Sequence, residues 1–238
     1  MLGGIPVIYG ISPFSEESTP SHLVGTIGYT PDGRKFKYAK FGAALTAGEL
    51  LQSAVEDTGE ESILMAAASI GAKEVTTADS ITVTANQYAN GYMVATAEGG
   101  TGNGYLYRIK SHPAATAAVC TFALYEPIKI ALSAATQCDF VKHPLDSVIQ
   151  NPISATGAPV GVAVIATTSG YYGWIQVAGP GLVKSDASGA VTVGAIVTAS
   201  NQTAGCVEDG DTDTQAIVGV AITGIAQAEF GLVDLKIG

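Results

Sequence analysis

At 238 residues the chain is long enough for one large all-β domain or two small ones. Hydrophobic residues make up 47% of it and charged residues only 13%; this argues against disorder and implies that much of a charge-poor surface lies against other subunits. The formal net charge of −10 argues against a nucleic-acid binder, which needs Lys and Arg for phosphates, and against an anionic membrane surface as partner.

Residues 1–24 read as an extended N-terminal arm. Ile5, Val7, Ile8 and Tyr9 are apolar, and Phe14 sits in the polar, proline-punctuated run Ser12–Pro20. Such an arm needs a groove, on its own subunit or a neighbour, or else it frays. Val24–Thr30 and Arg34–Phe41 then form a hairpin over Pro31-Asp32-Gly33, where Pro presets φ and Gly supplies a positive φ. Along its second strand Phe36 and Tyr38 point one way and Lys35 and Lys37 the other. Arg34, Lys35, Lys37 and Lys40 form a basic patch, either a solvated strand face or a docking point for an acidic partner.

Ala44–Leu51 matches Ala190–Val197 in outline. The match reads as a strand–turn–strand device with Gly at the bend, in preference to an internal repeat. Residues 60–70 are the best helix candidate, with Glu60 and Glu61 in the first turn and Gly71 past the end. Strands are expected at 80–84, 88–97, 105–110 and 117–125, with a glycine-rich loop at 98–104. These complete an antiparallel β-sandwich or barrel region over 25–130. Four prolines punctuate residues 126–159, so 131–159 is expected to be an irregular crossover.

Residues 160–238 read as a small C-terminal β-barrel. In it, 160–167 and 171–177 pair over Thr168-Ser169-Gly170, and Gly179-Pro180-Gly181 ends the hairpin. Strands at 191–199, 216–225 and 230–237 follow, with an acidic loop at 208–214. Tyr172, Trp174 and Gln176 share one face. A tryptophan can bury more than ~200 Å², so Trp174, the only one in the chain, is expected with Tyr172 to anchor the barrel core. The fold class is all-β with little helix.

Catalytic signatures are missing. There is no Gly-x-Ser-x-Gly elbow, HExxH or Walker sequence among these residues, and the three histidines, His22, His112 and His143, form no pattern. Asp209–Asp213 resembles the start of a calcium loop, but the positions requiring Gly and Glu hold Thr214 and Val220. A solvated hairpin tip is the better reading, with a loose calcium site at 209–213 as the alternative. Cys120, Cys138 and Cys206 are odd in number and widely spaced, which fits buried thiols in a reducing compartment. Cys138 and His143 have no second pair with which to bind zinc. Met1–Gly4 lacks a basic signal region, and no window approaches the ~18 apolar residues of a membrane span. A soluble protein made in a cytoplasm is expected.

Several segments in order resemble a family of tailed-bacteriophage virion structural proteins: Asp32–Ala39, Leu45–Leu50, Tyr88–Tyr92, Gly104–Pro113 and Gly170–Val177. Residues 160–238 also resemble the barrel of capsid decoration, or cement, proteins. That resemblance implies a non-enzymatic protein without cofactors or metals on the exterior of a phage head, assembled in the bacterial host cytoplasm. It implies a homotrimer whose arm binds the major capsid protein and which bridges capsomers against internal DNA pressure. The surfaces expected to do so are Ile5, Val7, Ile8, Tyr9 and Phe14 of the arm, with Arg34, Lys35, Lys37 and Lys40. Nucleic acid and membrane are not expected partners. A neck, tail or host-attachment protein would share the β-architecture. An enzyme or carbohydrate-binding module would instead present Tyr171, Tyr172 and Trp174 as an exposed platform.

Overall fold

The computed structural model describes residues 6–96, 101–210 and 215–238. The described regular structure is strand apart from one 3-10 turn at Thr58–Glu60, so the protein is all-β. The strands begin with β1 (Val7–Tyr9), β2 (Glu16–Glu17), β3 (Ile27–Tyr29), β4 (Lys35–Lys40) and β5 (Leu50–Gln52). Next come β6 (Ile63–Leu64), β7 (Glu74–Thr76), β8 (Ile81–Val83), β9 (Tyr92–Ala95), β10 (Leu106–Ser111), β11 (Ala115–Ala118), β12 (Thr121–Leu124) and β13 (Gln137–Val141). The last are β14 (Ile149–Gln150), β15 (Pro159–Ala163), β16 (Tyr172–Lys184), β17 (Ile196–Ala199), β18 (Val207–Asp209), β19 (Ile217–Ala221) and β20 (Phe230–Lys236). The described residues divide into two units, one joining residues 6–55 with Pro144–Gly238, the other Glu56–His143. This division cuts the 25–130 segment after Val55, and the 131–159 segment contributes β13 to one unit and β14 to the other.

The first unit is organised around β16. The first half of this strand runs antiparallel to β4, with Trp174 opposite Tyr38, and the second half antiparallel to β20, with Leu182 opposite Leu232. Gly179-Pro180-Gly181 therefore does not end the strand as expected. The register with β4 slips between Gln176 and Ala178, at the point where β16 changes partner. Gly179 takes a φ of +81°, and the buried Gln176 amide donates to the Pro180 carbonyl at 2.8 Å. The disrupted backbone is thus satisfied by a side chain, as at a bulge.

Changing partner lets β16 serve two small barrels. In the first, β4, β16, β15, β5 and β14 lie side by side, and a bridge from Phe41 to Val148 joins the two ends. In the second, β16, β20, β19, β17 and β18 do the same, closed by a bridge from Ser185 to Val207. Phe41, Leu51, Val148, Ile175 and Val177 pack in the core of the first. Val183, Val197, Val218, Val233 and Leu235 pack in that of the second.

The two barrels are copies of one design. Leu45 and Thr167 exchange backbone hydrogen bonds in the first, as Val191 and Ile225 do in the second. Gly48 N–H donates to Ala163 and Ala163 N–H to Glu49; likewise Gly194 donates to Ala221 and Ala221 to Ala195. The φ angles of the two glycines, +82° and +80°, agree. Aligned this way, Val160-Gly161-Val162-Ala163 falls on Val218-Gly219-Val220-Ala221, and Tyr172-Gly173-Trp174 falls on Phe230-Gly231-Leu232. The likeness of 44–51 to 190–197 is therefore part of an internal repeat, contrary to the general-device reading. The Glu56–His143 unit is inserted between β5 and β14 of the first copy, where the second copy has only residues 200–206. That insertion makes the first unit discontinuous in sequence.

The inserted unit has a six-stranded sheet in the order β6-β13-β9-β10-β12-β7 and a β11-β8 pair. Its core holds Tyr88, Met93, Ile109, Phe122 and Phe140. The expected helix over 60–70 does not form. Ser62 has a positive φ of 54°, and the N–H groups of Met65, Ala66 and Ala68 donate to Thr136, Thr76 and Leu132. Long-range pairing overrides the alanine preference there. The 88–97 strand begins only at Tyr92, because Asn86 and Asn90 turn the chain with positive φ. The 117–125 strand splits into β11 and β12.

Candidate interaction surfaces

The arm folds onto its own subunit. Strand β1 runs parallel to β3, with Val7 opposite Ile27 and Tyr9 opposite Tyr29; the two tyrosine rings stack with centroids 5.4 Å apart. Strand β2 pairs with the start of β16. The Glu16 carboxylate accepts hydrogen bonds from the Thr168 N–H at 2.6 Å and hydroxyl at 2.7 Å. Ile8 faces inward, whereas Val7, Tyr9 and Phe14 are exposed, Tyr9 at 78%. Ile5 lies outside the described residues.

Beneath the arm lie Phe36, Tyr38 and Trp174, with Ile8, Ile11 and Tyr172 against them. Tyr38 and Trp174 meet edge to face at 5.3 Å, and Tyr172 stacks on Tyr38 at 6.2 Å. Trp174 is only 7% exposed. It is a core residue as expected, but its core is the arm-covered outer face of the first barrel, not the interior of the C-terminal one. Tyr171 packs with the other face of the strand, so Tyr171, Tyr172 and Trp174 form no common exposed platform.

The four basic residues differ in surroundings. Arg34 is tied to Asp32 at 2.8 Å, and Lys40 lies 3.8 Å from Asp146. Lys35 and Lys37 make no ion pair among the described residues. Burial, then the nearby Lys35 charge, lowers the Lys37 pKa from its ordinary value. Half of the expected patch is thus neutralised within the hairpin and first barrel.

A further surface lies on the outside of the second barrel. Ile196 stands opposite Val220, and Leu182 opposite Leu232. Ile196, Val220, Ile222, Leu182 and Phe230 are all exposed, Leu182 at 51% and Phe230 at 52%. Lys184 reaches over the Phe230 ring at 6.0 Å. By the internal repeat, Leu182, Phe230 and Leu232 are the counterparts of Tyr38, Tyr172 and Trp174. The first barrel covers this face with the arm; the second leaves it open. Sequence reasoning missed this surface, and extending the 44–51 match through Val160–Ala163 and Val218–Ala221 was the signal that would have found it.

Two polar constellations in the inserted unit have enough chemistry to be weighed as catalytic. Cys120 Sγ lies 3.9 Å from His112 Nδ1. That nitrogen also faces the Pro113 carbonyl at 2.9 Å, and His112 Nε2 accepts the Tyr88 N–H at 3.0 Å. The ring is thereby held with its proton on Nδ1, a donor, so it has no lone pair aimed at the thiol. Burial lowers the His112 pKa and raises that of Cys120, which favours the neutral forms. The second constellation joins Asp57, Glu60 and Tyr88. The Tyr88 hydroxyl donates to Asp57 at 3.0 Å, with Glu60 3.3 Å away. Burial and Asp57 raise the Glu60 pKa, while hydrogen bonds from Glu60 and Tyr88 outweigh burial and lower that of Asp57. The Tyr88 hydroxyl, bonded to both carboxyls, ties the 3-10 turn to the core of the inserted unit.

In the acidic stretch, Asp209 accepts from the Thr192 N–H and hydroxyl; residues 211–214 lie outside the described residues. Among the described residues no cluster of three or more His, Cys, Asp or Glu is placed to hold a metal, and no helix is long and apolar enough to cross a membrane. The chain matches no known protein-family model, no curated protein and no solved structure.

Proposed function

We propose that this chain is a non-enzymatic decoration protein of a phage head, which binds the major capsid protein on the outer shell and bridges capsomers. The observation that carries this reading is the open outer face of the second barrel. An apolar sheet face of this kind marks an interaction site, and its twin on the first barrel is covered by an extended segment with inward apolar side chains. An extended segment of the shell protein suits the open face for the same reason. Tyr9 and Phe14 add a second exposed contact on the same unit, and two modest contacts in one particle reinforce each other through effective concentration. Bridging means that expanding the shell must break these contacts as well as the shell's own. Homotrimer formation belongs to the same proposal and is read by sedimentation.

The test replaces Leu182 and Val220 with Lys and measures co-sedimentation with undecorated heads. Decoration should be lost while the melting temperature is kept; normal decoration by a folded variant would overturn the reading. Copy number separates the alternative: one ring per particle would indicate a neck or tail protein, and occupancy of every capsomer a decoration protein.

A further inference from the structure

A pocket of about 260 Å³ opens where the arm crosses the aromatic cluster of the first barrel. Its walls include Ile8, Ile11, Glu17, His22, Tyr38 and Trp174. The rings of His22, Tyr38 and Trp174 stand 5.3 to 5.4 Å from one another at interplanar angles of 49° to 89°. All three rings line the pocket.

The polar end is the Glu17 carboxylate. Its Oε1 accepts from the Ser21 N–H at 3.1 Å, from the Ser21 hydroxyl at 2.5 Å and from the Tyr38 hydroxyl. All these bonds fall on one oxygen, so Oε2 has no hydrogen-bond partner among the described residues. Burial alone would raise this carboxyl, but the hydrogen bonds from Ser21 and Tyr38 and the nearby His22 hold it below its ordinary value. It is therefore ionised at neutral pH. The Tyr38 hydroxyl is pushed up to about 12 by burial and by Glu17, so it remains the donor. A fixed anion with a spare oxygen beside aromatic rings matches the needs of an organic cation, which gains both a charge-assisted contact and cation–π attraction.

We propose that this pocket binds an alkylammonium group, with Glu17 as the counter-ion and Trp174 and Tyr38 as the aromatic walls. The proposal is independent of the capsid reading. The group is either a free quaternary amine or a lysine side chain presented by a partner.

Trp174 is the only tryptophan, so its fluorescence reports occupancy directly. The full chain is titrated at constant ionic strength with tetramethylammonium, with N-acetyl-lysine amide, and with tert-butanol as a neutral analogue. A saturable change with either cation and none with the alcohol supports the site. Tetramethylammonium alone responding indicates a free amine, and a response to the lysine amide indicates a partner's side chain. Glu17→Gln keeps the acceptor Oε1 but removes the charge, and should weaken binding about tenfold. No saturation with either cation, equal binding of the alcohol, or unchanged affinity in a folded Glu17→Gln variant would overturn the proposal. If that variant does not fold, the alcohol comparison on the unaltered protein decides.

Discussion

Tyr38 and Leu182 occupy equivalent positions in the two barrels, yet Tyr38 is 1% exposed and Leu182 is 51% exposed. The difference is the arm. Deleting residues 1–22 would uncover Tyr38 and Trp174, so the truncated protein should be less stable, by about 2–4 kcal/mol from lost apolar burial. Urea unfolding measures the loss. Trp174 emission in the folded protein should move from blue-shifted toward the solvent value; an unchanged maximum would mean that the arm does not cover it.

The shared Val-Gly-Val-Ala motif makes a sharp packing prediction. A Cβ at Gly219 would lie 2.1 Å from the Asp234 carbonyl oxygen on the neighbouring strand. Backbone cannot yield as a flexible side chain can, so Gly219→Ala should cost about 2–3 kcal/mol. Gly189 meets nothing within 4 Å, and Gly189→Ala should leave the melting temperature unchanged. Equal effects of the two would refute the steric account.

Two carboxyl pairs contribute to the pH dependence. In the second barrel the buried Asp186 accepts from the Ser200 hydroxyl at 2.6 Å and the Ser188 hydroxyl at 2.7 Å. These bonds outweigh burial and lower its pKa, while burial and Asp186 raise that of Glu208. Asp57 and Glu60 behave alike in the inserted unit. A lowered Asp contributes stability above its unfolded value of about 3.9 and loses it as pH falls through the folded value. A raised Glu contributes below about 4.3 and loses that contribution as pH rises through its folded value. The two Glu residues therefore favour weak acid over weak alkali, against the buried His112, whose lowered pKa makes acid costly. Glu208→Gln and Glu60→Gln should each flatten that slope and raise the alkaline melting temperature.

The thiols should be inert in the folded state. All three cysteines are buried, and burial, then Asp139, pushes the Cys138 thiol up to about 12. Reaction with an aromatic disulfide reagent should become fast only on denaturation. Rapid native labelling of Cys120 would instead point to a thiolate formed by His112 and reopen a nucleophilic role.

The sequence by itself determined the elements whose signals are local. The all-β class follows from alternation and glycine punctuation. The Pro31-Asp32-Gly33 hairpin and the opposite facing of Phe36 and Lys37 follow from residues within a few positions of one another; so does the turn at Thr168–Gly170, but the expected 160–167 strand before it ends at Ala163, and Thr167 pairs with Leu45 instead of across that turn. Burial of Trp174 was legible too, because its size and flanking β-branched residues demand it. Only the tertiary structure decided what surrounds it. The arm reaches Trp174 from more than 150 positions away, and no local pattern encodes such a contact. The same holds for residues 60–70, whose alanines favour a helix alone but whose N–H groups find partners on distant strands. Glu17 became a candidate site residue only when folding set it beside Tyr38 and Trp174. The exposed face of the second barrel depends on the missing cover over Leu182, and exposure is a property of the packed molecule that composition does not contain.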